Sequence, residues 1–211
     1  MSETSPKAPA LLFDALAEEY EDVRLEVQWD PFPHLDALLA QCGSPRGRKV
    51  LDVGCATGEL AERLVAMGAQ LVGVDVSVEM CAQAAERVPN TPFFPIDIEE
   101  GLPFDSHHFD LAIGLSFLEW VEHLEEALDE LARVLRPGGW LLLSCETCAE
   151  GEPLSVDFLD GWRRYRITAE ALERWAQAHL DSYSIVPIPG FLLDSGERSR
   201  YLRLIGRKGE L

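Results

Sequence analysis

Residues 50–58 read Val-Leu-Asp-Val-Gly-Cys-Ala-Thr-Gly. An apolar run carries an acid, Asp52, then breaks into the small residues Gly54, Cys55, Ala56 and Gly58. A strand that ends this way lets a ligand approach the backbone, and the helix that follows turns its free N–H groups toward it. The chemistry this serves is the holding of a nucleoside-bearing cofactor. A dinucleotide fingerprint, Gly-x-Gly-x-x-Gly, would put its second and third glycines at Ala56 and Glu59. Glu59 and Asp52 set negative charge where a pyrophosphate would sit at a helix start. A P-loop needs Gly-Lys-Ser/Thr, whereas Gly58 is followed by Glu59-Leu60. The loop suits a ligand end that carries an amine or a sulfonium.

Further acids follow at regular intervals. Leu71-Val-Gly-Val-Asp75 is a second apolar run, and Asp75 lies 21 residues beyond Gly54, about the length of a strand–helix–strand unit. A carboxylate there can accept from both hydroxyls of a ribose. Phe93-Phe-Pro-Ile-Asp97 ends a third run, and Asp97 can accept from an adenine amino group. Leu111–Ser116 makes a fourth. In a parallel sheet these ends share one edge, so the residues converge on one crevice.

The chain resembles the class I S-adenosylmethionine-dependent methyltransferases of the small-molecule type, over roughly residues 45–146. The matching pieces are Val50–Gly58, Gly73-Val-Asp-Val-Ser77 with Met80, Asp97-Ile98, Phe109-Asp110 and Arg133-Val-Leu-Arg-Pro-Gly-Gly139. Each is weak alone; five in order at βα spacing are specific. The resemblance implies a Rossmann-like, doubly wound α/β sheet of seven strands, order 3-2-1-4-5-7-6, with strand 7 antiparallel. It implies S-adenosylmethionine as cofactor and S-adenosylhomocysteine as product. Gly54 and its neighbours would cradle the methionine part, Val76 and Met80 would flank adenine, and the Ile98 N–H would meet a ring nitrogen. Asp75 would take the ribose hydroxyls and Asp97 the adenine amino group. The backbone at Leu115–Ser116 would meet the cofactor's amino group. Ala56 departs from the family, which often has glycine there, and puts the local backbone angle in question.

Composition narrows the partners. The 211 residues suit one domain, and 47% hydrophobic content is ample for a core. The formal net charge of −19 disfavours a nucleic-acid substrate, because phosphate backbones are captured by basic patches. Arg163, Arg164 and Arg166 are the only dense basic group. No apolar run approaches the ~20 residues of a membrane span. The start, Met1–Pro9, is polar and does not read as a signal peptide. Five scattered cysteines suggest free thiols in a reducing cytoplasm. The expected partner is a small-molecule substrate, with no membrane. Oligomeric state, monomer or homodimer, is left open.

Hydrophobic periodicity places the elements that position these residues. Residues 1–44 read as a tail and N-terminal helices, with amphipathic helices over 11–22 and 33–42. Residues 45–146 form the cofactor-binding core, with helices at about 58–67 and 78–87 and a polar loop over Glu99–His108. His123–Leu135 is a helix stopped by Pro137-Gly138-Gly139. Trp140–Ser144 is the fifth strand. Residues 147–211 complete the domain, with Glu146–Gly161 acidic and irregular, a helix over Thr168–His179 capped by Thr168, and a closing strand pair at Tyr183–Ile188 and Arg200–Gly206.

Methyl transfer is an in-line displacement in which the protein supplies position and a dry pocket. No catalytic residue is assigned: an acceptor with a proton of high pKa needs a base, whereas a carboxylate, thiolate or amine can do without one, and the absence of an obvious base does not count against catalysis. Glu119, Trp120 and His123 follow the fourth strand and are substrate candidates; Trp120 can equally pack under the helix, and His123 can cap it. Trp162 and Tyr165 can cover the pocket or anchor a surface segment. Tyr20, with Trp29 and His34, can form an N-terminal lid or ordinary packing. Cys145-Glu-Thr-Cys148 lacks the further ligands of a zinc site and leaves a strand instead of opening a helix, so neither metal nor redox chemistry is assigned. The rival readings are a binding-only relative that keeps the pocket without turnover, and an RNA or protein methyltransferase. An NAD-linked oxidoreductase fits the loop poorly.

Overall fold

The architecture is that of a computed structural model, which describes residues 8–157 and 162–210. Strand β1 (Lys49–Val53) has its last four residues buried, as a central parallel strand must. It pairs in parallel with β2 (Gln70–Asp75) on one side and β4 (Phe109–Leu115) on the other. Beyond β2 lies the edge strand β3 (Phe93–Pro95), and beyond β4 lies β5 (Leu135–Cys148). The strand β10 (Arg198–Lys208) joins antiparallel to β5 and carries β9 (Leu180–Leu192) outside it. The order is β3-β2-β1-β4-β5-β10-β9, the arrangement that the family resemblance implies, with β10 as the antiparallel seventh position.

Side-chain alternation makes the sheet two-sided. Val50, Leu111, Ile113 and Leu142 face a core shared with α3 (Phe32–Cys42) and α4 (Glu59–Ala66). Leu51, Val53, Ala112, Leu141 and Leu143 face the other core, shared with α6 (Leu124–Val134) and α7 (Ala169–His179). Helix α5 (Val78–Arg87) starts on a Ser77 cap, whose hydroxyl accepts from the Met80 N–H. Thr168 caps α7 in the same way, accepting from the Ala171 N–H. Chain order reverses beside β1, between β2 on one side and β4 on the other, so a crevice opens at their carboxyl ends.

The structure differs from the sequence expectation in several places, among them β5, which begins at Leu135 and runs through Pro137-Gly138-Gly139 instead of starting at Trp140. The helix expected over 11–22 is two helices, α1 (Ala8–Leu16) and α2 (Tyr20–Glu26), separated by a turn in which the Glu19 N–H donates to the Leu16 carbonyl. Periodicity alone did not register that break, because Leu12, Leu16 and Tyr20 keep helical spacing across it. The stretch expected to be irregular after residue 146 continues β5 to Cys148. It then forms β6 (Ser155–Asp157), paired antiparallel with β7 (Arg163–Tyr165). Three-residue strands are too short to show a period of two. A further short strand, β8 (Ile167–Thr168), pairs with the end of β5.

The N-terminal helices are tied to the crevice loops. Asp14 accepts from the Ser77 hydroxyl at 2.6 Å and from the Glu79 N–H at 3.2 Å. Glu21 accepts from the Thr57 hydroxyl and pairs with Arg87. Arg24 pairs with Glu59 at 2.7 Å. Among the described residues no helix is long and apolar enough to cross a membrane. Leu131 on α6 is fully enclosed in the core. Leu131→Ala should therefore cost about 2–5 kcal/mol in urea denaturation. A loss below about 1 kcal/mol would show that this face of α6 does not hold the sheet.

Candidate active site

Gly54 opens the loop after β1 with φ +70°, and an added Cβ would come within 2.7 Å of the Phe117 Cβ. Only glycine meets both demands. The loop then closes on its own protein rather than presenting bare amides. The Gly54 and Cys55 N–H groups both donate to the Val74 carbonyl, and the Ala56 N–H donates to Asp75 Oδ2 at 3.0 Å. Ala56 sits at φ +46°, the left-handed conformation that glycine adopts freely, so the backbone angle questioned from the sequence is indeed unusual here.

A cavity of about 390 Å³ opens at the carboxyl ends of β1, β2 and β4. Gly54, Ala56, Asp75, Val76, Met80, Asp97, Ile98, Leu115 and Ser116 all line it. Asp75 also accepts from the Ser77 N–H through Oδ1. Burial, more than any neighbour, pushes its pKa up. Asp97 caps the short turn Ile98–Glu100 by accepting from the Glu99 N–H. The Ser116 N–H is held by the Ser144 carbonyl and hydroxyl.

Three sequence candidates lie elsewhere. Gly58 does not line the cavity; it begins α4 at φ +83°, where a Cβ would press within 3.0 Å of Ala84. Its smallness serves helix packing. Glu119 lies 1% exposed behind the wall, accepting from the Glu146 N–H at 2.9 Å. His123 precedes α6 without using its side chain as a cap, and Glu99 accepts from the Glu122 and His123 N–H groups just ahead of the helix. Both positions follow β4, and the turn of Leu118–Trp120 directs Trp120 to the cavity and Glu119 away from it.

Asp52 and Cys55 line a small adjoining cavity together with Arg24, Thr57 and Trp29. Asp52 is buried with Oδ2 lacking a hydrogen-bond partner, and burial followed by the Asp75 charge raises its pKa to about 7. Arg24 donates to the Trp29 carbonyl and pairs with Glu59, but its buried Nε has no partner among the described residues. Arg24 was not singled out from sequence, because a lone cation on a short acidic helix reads as surface. The sulfur of Cys55 is turned toward Cys81. Trp29 stacks on His34 at 5.0 Å and packs on Phe191 and Tyr201, and burial lowers the His34 pKa to about 4. His34 is interior packing, whereas Trp29 is buried but still lines the small cavity.

The remaining wall is aromatic. Phe13 of α1 meets Trp120 edge-on at 5.3 Å, and Tyr20, Phe117, Trp162 and Tyr165 complete it. Along β7 the side chains alternate. Arg163 and Tyr165 line the cavity, whereas Arg164 points into the body, pairing with Glu146 at 2.5 Å, donating to Tyr201 and lying over Trp120 and Phe191. Cys145 and Cys148 are buried free thiols three residues apart on β5, so they face opposite sides of the strand. Among the described residues no group of His, Cys, Asp and Glu is placed to hold a metal ion.

A doubly wound sheet with acid-tipped strands around one crevice is a frame that can receive a small ligand at the carboxyl edge of its strands. Residues 51–143 match the family model described as a methyltransferase domain. The chain is similar to a malonyl-[acyl-carrier protein] O-methyltransferase of Pseudescherichia vulneris, 34% identical over 140 residues, covering 66% of this chain and 53% of that protein. It is 33% identical over 141 residues to a ubiquinone biosynthesis O-methyltransferase of Alkalilimnicola ehrlichii, covering 63% and 56%. The chain thus spans about half the length of these relatives. In fold it is similar to the 1,6-didemethyltoxoflavin-N1-methyltransferase of Burkholderia thailandensis, solved with S-adenosylhomocysteine and its substrate, with TM-score 0.73, 19% identity and coverage of 100% and 93%. Residues 51–143 are thus similar to a methyltransferase domain, and the relatives named here are methyltransferases.

Glu119 supplies a pH signature. Burial, before its hydrogen bonds and the opposing charges of Arg164 and Glu146, raises its pKa to about 7. The folded protein therefore keeps a proton that the unfolded chain has released, and stability present at low pH is lost as pH climbs toward 7. Glu119→Gln keeps an acceptor for the Glu146 N–H and removes this titration. Between pH 4.5 and 7.5 the variant should lose less stability than the parent, by up to about 1.4 kcal/mol per pH unit. Parallel denaturation curves over that range would refute the assignment.

Proposed function

We propose that this chain is an enzyme that transfers a methyl group from S-adenosylmethionine to a small-molecule acceptor. The observation that supports it best is the convergence of the Asp75 and Asp97 carboxylates and the Gly54–Ala56 loop on one cavity. In this reading Asp75 accepts from the ribose hydroxyls and Asp97 from the adenine amino group. Val76, Met80 and Ile98 enclose the base. Asp52 and Arg24 take the amino-acid end, since an orphaned acceptor and an orphaned donor of opposite charge line the same small cavity, matching an ammonium and a carboxylate. Bound there, the cofactor supplies an electrophilic methyl on sulfur. The protein's part is to fix that methyl in line with the acceptor and to keep water out with aromatic side chains. Five free cysteines support a reducing cytoplasmic setting.

Calorimetry tests the reading directly. S-adenosylmethionine and S-adenosylhomocysteine should bind in the micromolar range, and Asp75→Ala should weaken both at least tenfold. Asp52→Asn and Arg24→Gln should weaken S-adenosylhomocysteine while leaving 5′-methylthioadenosine, which lacks the amino-acid end, unaffected. Absence of heat with either cofactor form would overturn the function.

A further inference from the structure

Two cavities meet beside the loop that follows β1. The larger, about 390 Å³, holds Asp75 and Asp97; the smaller, about 50 Å³, holds Asp52 and Arg24. Tyr20, Gly54, Ala56 and Leu115 line both, so they mark the passage between the two. A molecule seated at both ends must cross that passage. Among these four, Tyr20 alone has a side chain that carries a polar atom. Tyr20 and Arg24 stand one turn apart on α2, so one face of that helix presents both. Arg24 pairs with Glu59, and Glu21 accepts from the Thr57 hydroxyl at 3.1 Å, which pins α2 over the loop. The charges that act on the Tyr20 hydroxyl are Asp75, Arg24, Glu59 and Glu119, three acids against one guanidinium. Burial, and then the Asp75 charge, pushes its pKa up, so the phenol stays protonated and neutral. A neutral phenol surrounded mainly by acids favours a cation at the passage.

We propose that Tyr20 distinguishes the methyl-bearing cofactor from its spent form by facing the sulfonium, its hydroxyl oxygen accepting from the C–H groups of the transferred methyl. This rests on the methyl-transfer reading above. A cofactor with its adenosine at Asp75 and Asp97 and its amino-acid end at Asp52 and Arg24 has its sulfur between them, at the passage. The sulfonium carries a positive charge and electron-poor methyl hydrogens; the thioether of S-adenosylhomocysteine has neither. Contacts at the two ends hold both forms alike, whereas a phenol at the sulfur favours the charged one. Tyr20 thereby lets the spent cofactor leave and the loaded one stay.

Calorimetry on the full chain tests this with three ligands: S-adenosylmethionine, S-adenosylhomocysteine and sinefungin, in which a carbon bearing an ammonium replaces the methyl-bearing sulfur. The parent should bind sinefungin at least threefold more tightly than S-adenosylhomocysteine. Tyr20→Phe keeps the ring and removes the hydroxyl. It should weaken S-adenosylmethionine and sinefungin at least threefold while S-adenosylhomocysteine stays within twofold of the parent. The proposal is overturned if Tyr20→Phe weakens all three alike, as a merely structural tyrosine would, or leaves all three unchanged. It is also overturned if the parent binds sinefungin no better than S-adenosylhomocysteine, a measurement that needs no variant to fold. Failure of the parent to bind either S-adenosylmethionine or S-adenosylhomocysteine would instead strike at the methyl-transfer reading itself.

Discussion

The Asp75 carboxylate holds the site together before any ligand arrives. One oxygen takes the Ala56 N–H from the loop after β1, and the other takes the Ser77 N–H at the head of α5. Two loops from neighbouring strands are thus locked at a fixed separation by one buried acid. Ser77 passes the constraint on, because its hydroxyl both caps α5 and donates to Asp14 on α1. Helix α1, the loop after β1 and the head of α5 are therefore one connected hydrogen-bonded unit. Removing the carboxylate would leave the buried Ser77 N–H and the partly buried Ala56 N–H without their acceptor.

The cost of this arrangement is negative charge in a dry place. Asp52 and Glu119 are both raised to about 7, and Asp75 is raised as well, in each case first by burial. A cationic ligand placed beside Asp52 would relieve part of that penalty. The same field would favour a cation and disfavour phosphate, in keeping with the chain's charge of −19 and with the lack of a Gly-Lys step after Gly58.

The fold was legible because each core strand is an apolar run that stops at a chemically distinct residue. Asp75 and Asp97 could be placed on one edge by counting strand and helix lengths, and the cavity lining contains both. Gly58 shows the limit of that reading: a glycine in a motif serves either ligand or packing, and only the nearness of Ala84 decides. Glu119 and Trp120 are adjacent in sequence but point opposite ways, which a tight turn settles and periodicity does not. Arg24 and Phe117 escaped notice because their roles arise across long separations. A glycine inside β4, Gly114, was the available hint of the Phe117 ring lying against it.

The hairpin of β6 and β7 separates two duties by strand alternation. Arg164 seats it in the protein body, and Arg163 and Tyr165 look into the cavity. Its cavity-facing positions are thereby free to vary while the seat stays put. Relatives could exchange those residues and take on differently shaped molecules without disturbing the Asp75 end of the cavity, so diversification of this scaffold has an inexpensive route along a single ribbon.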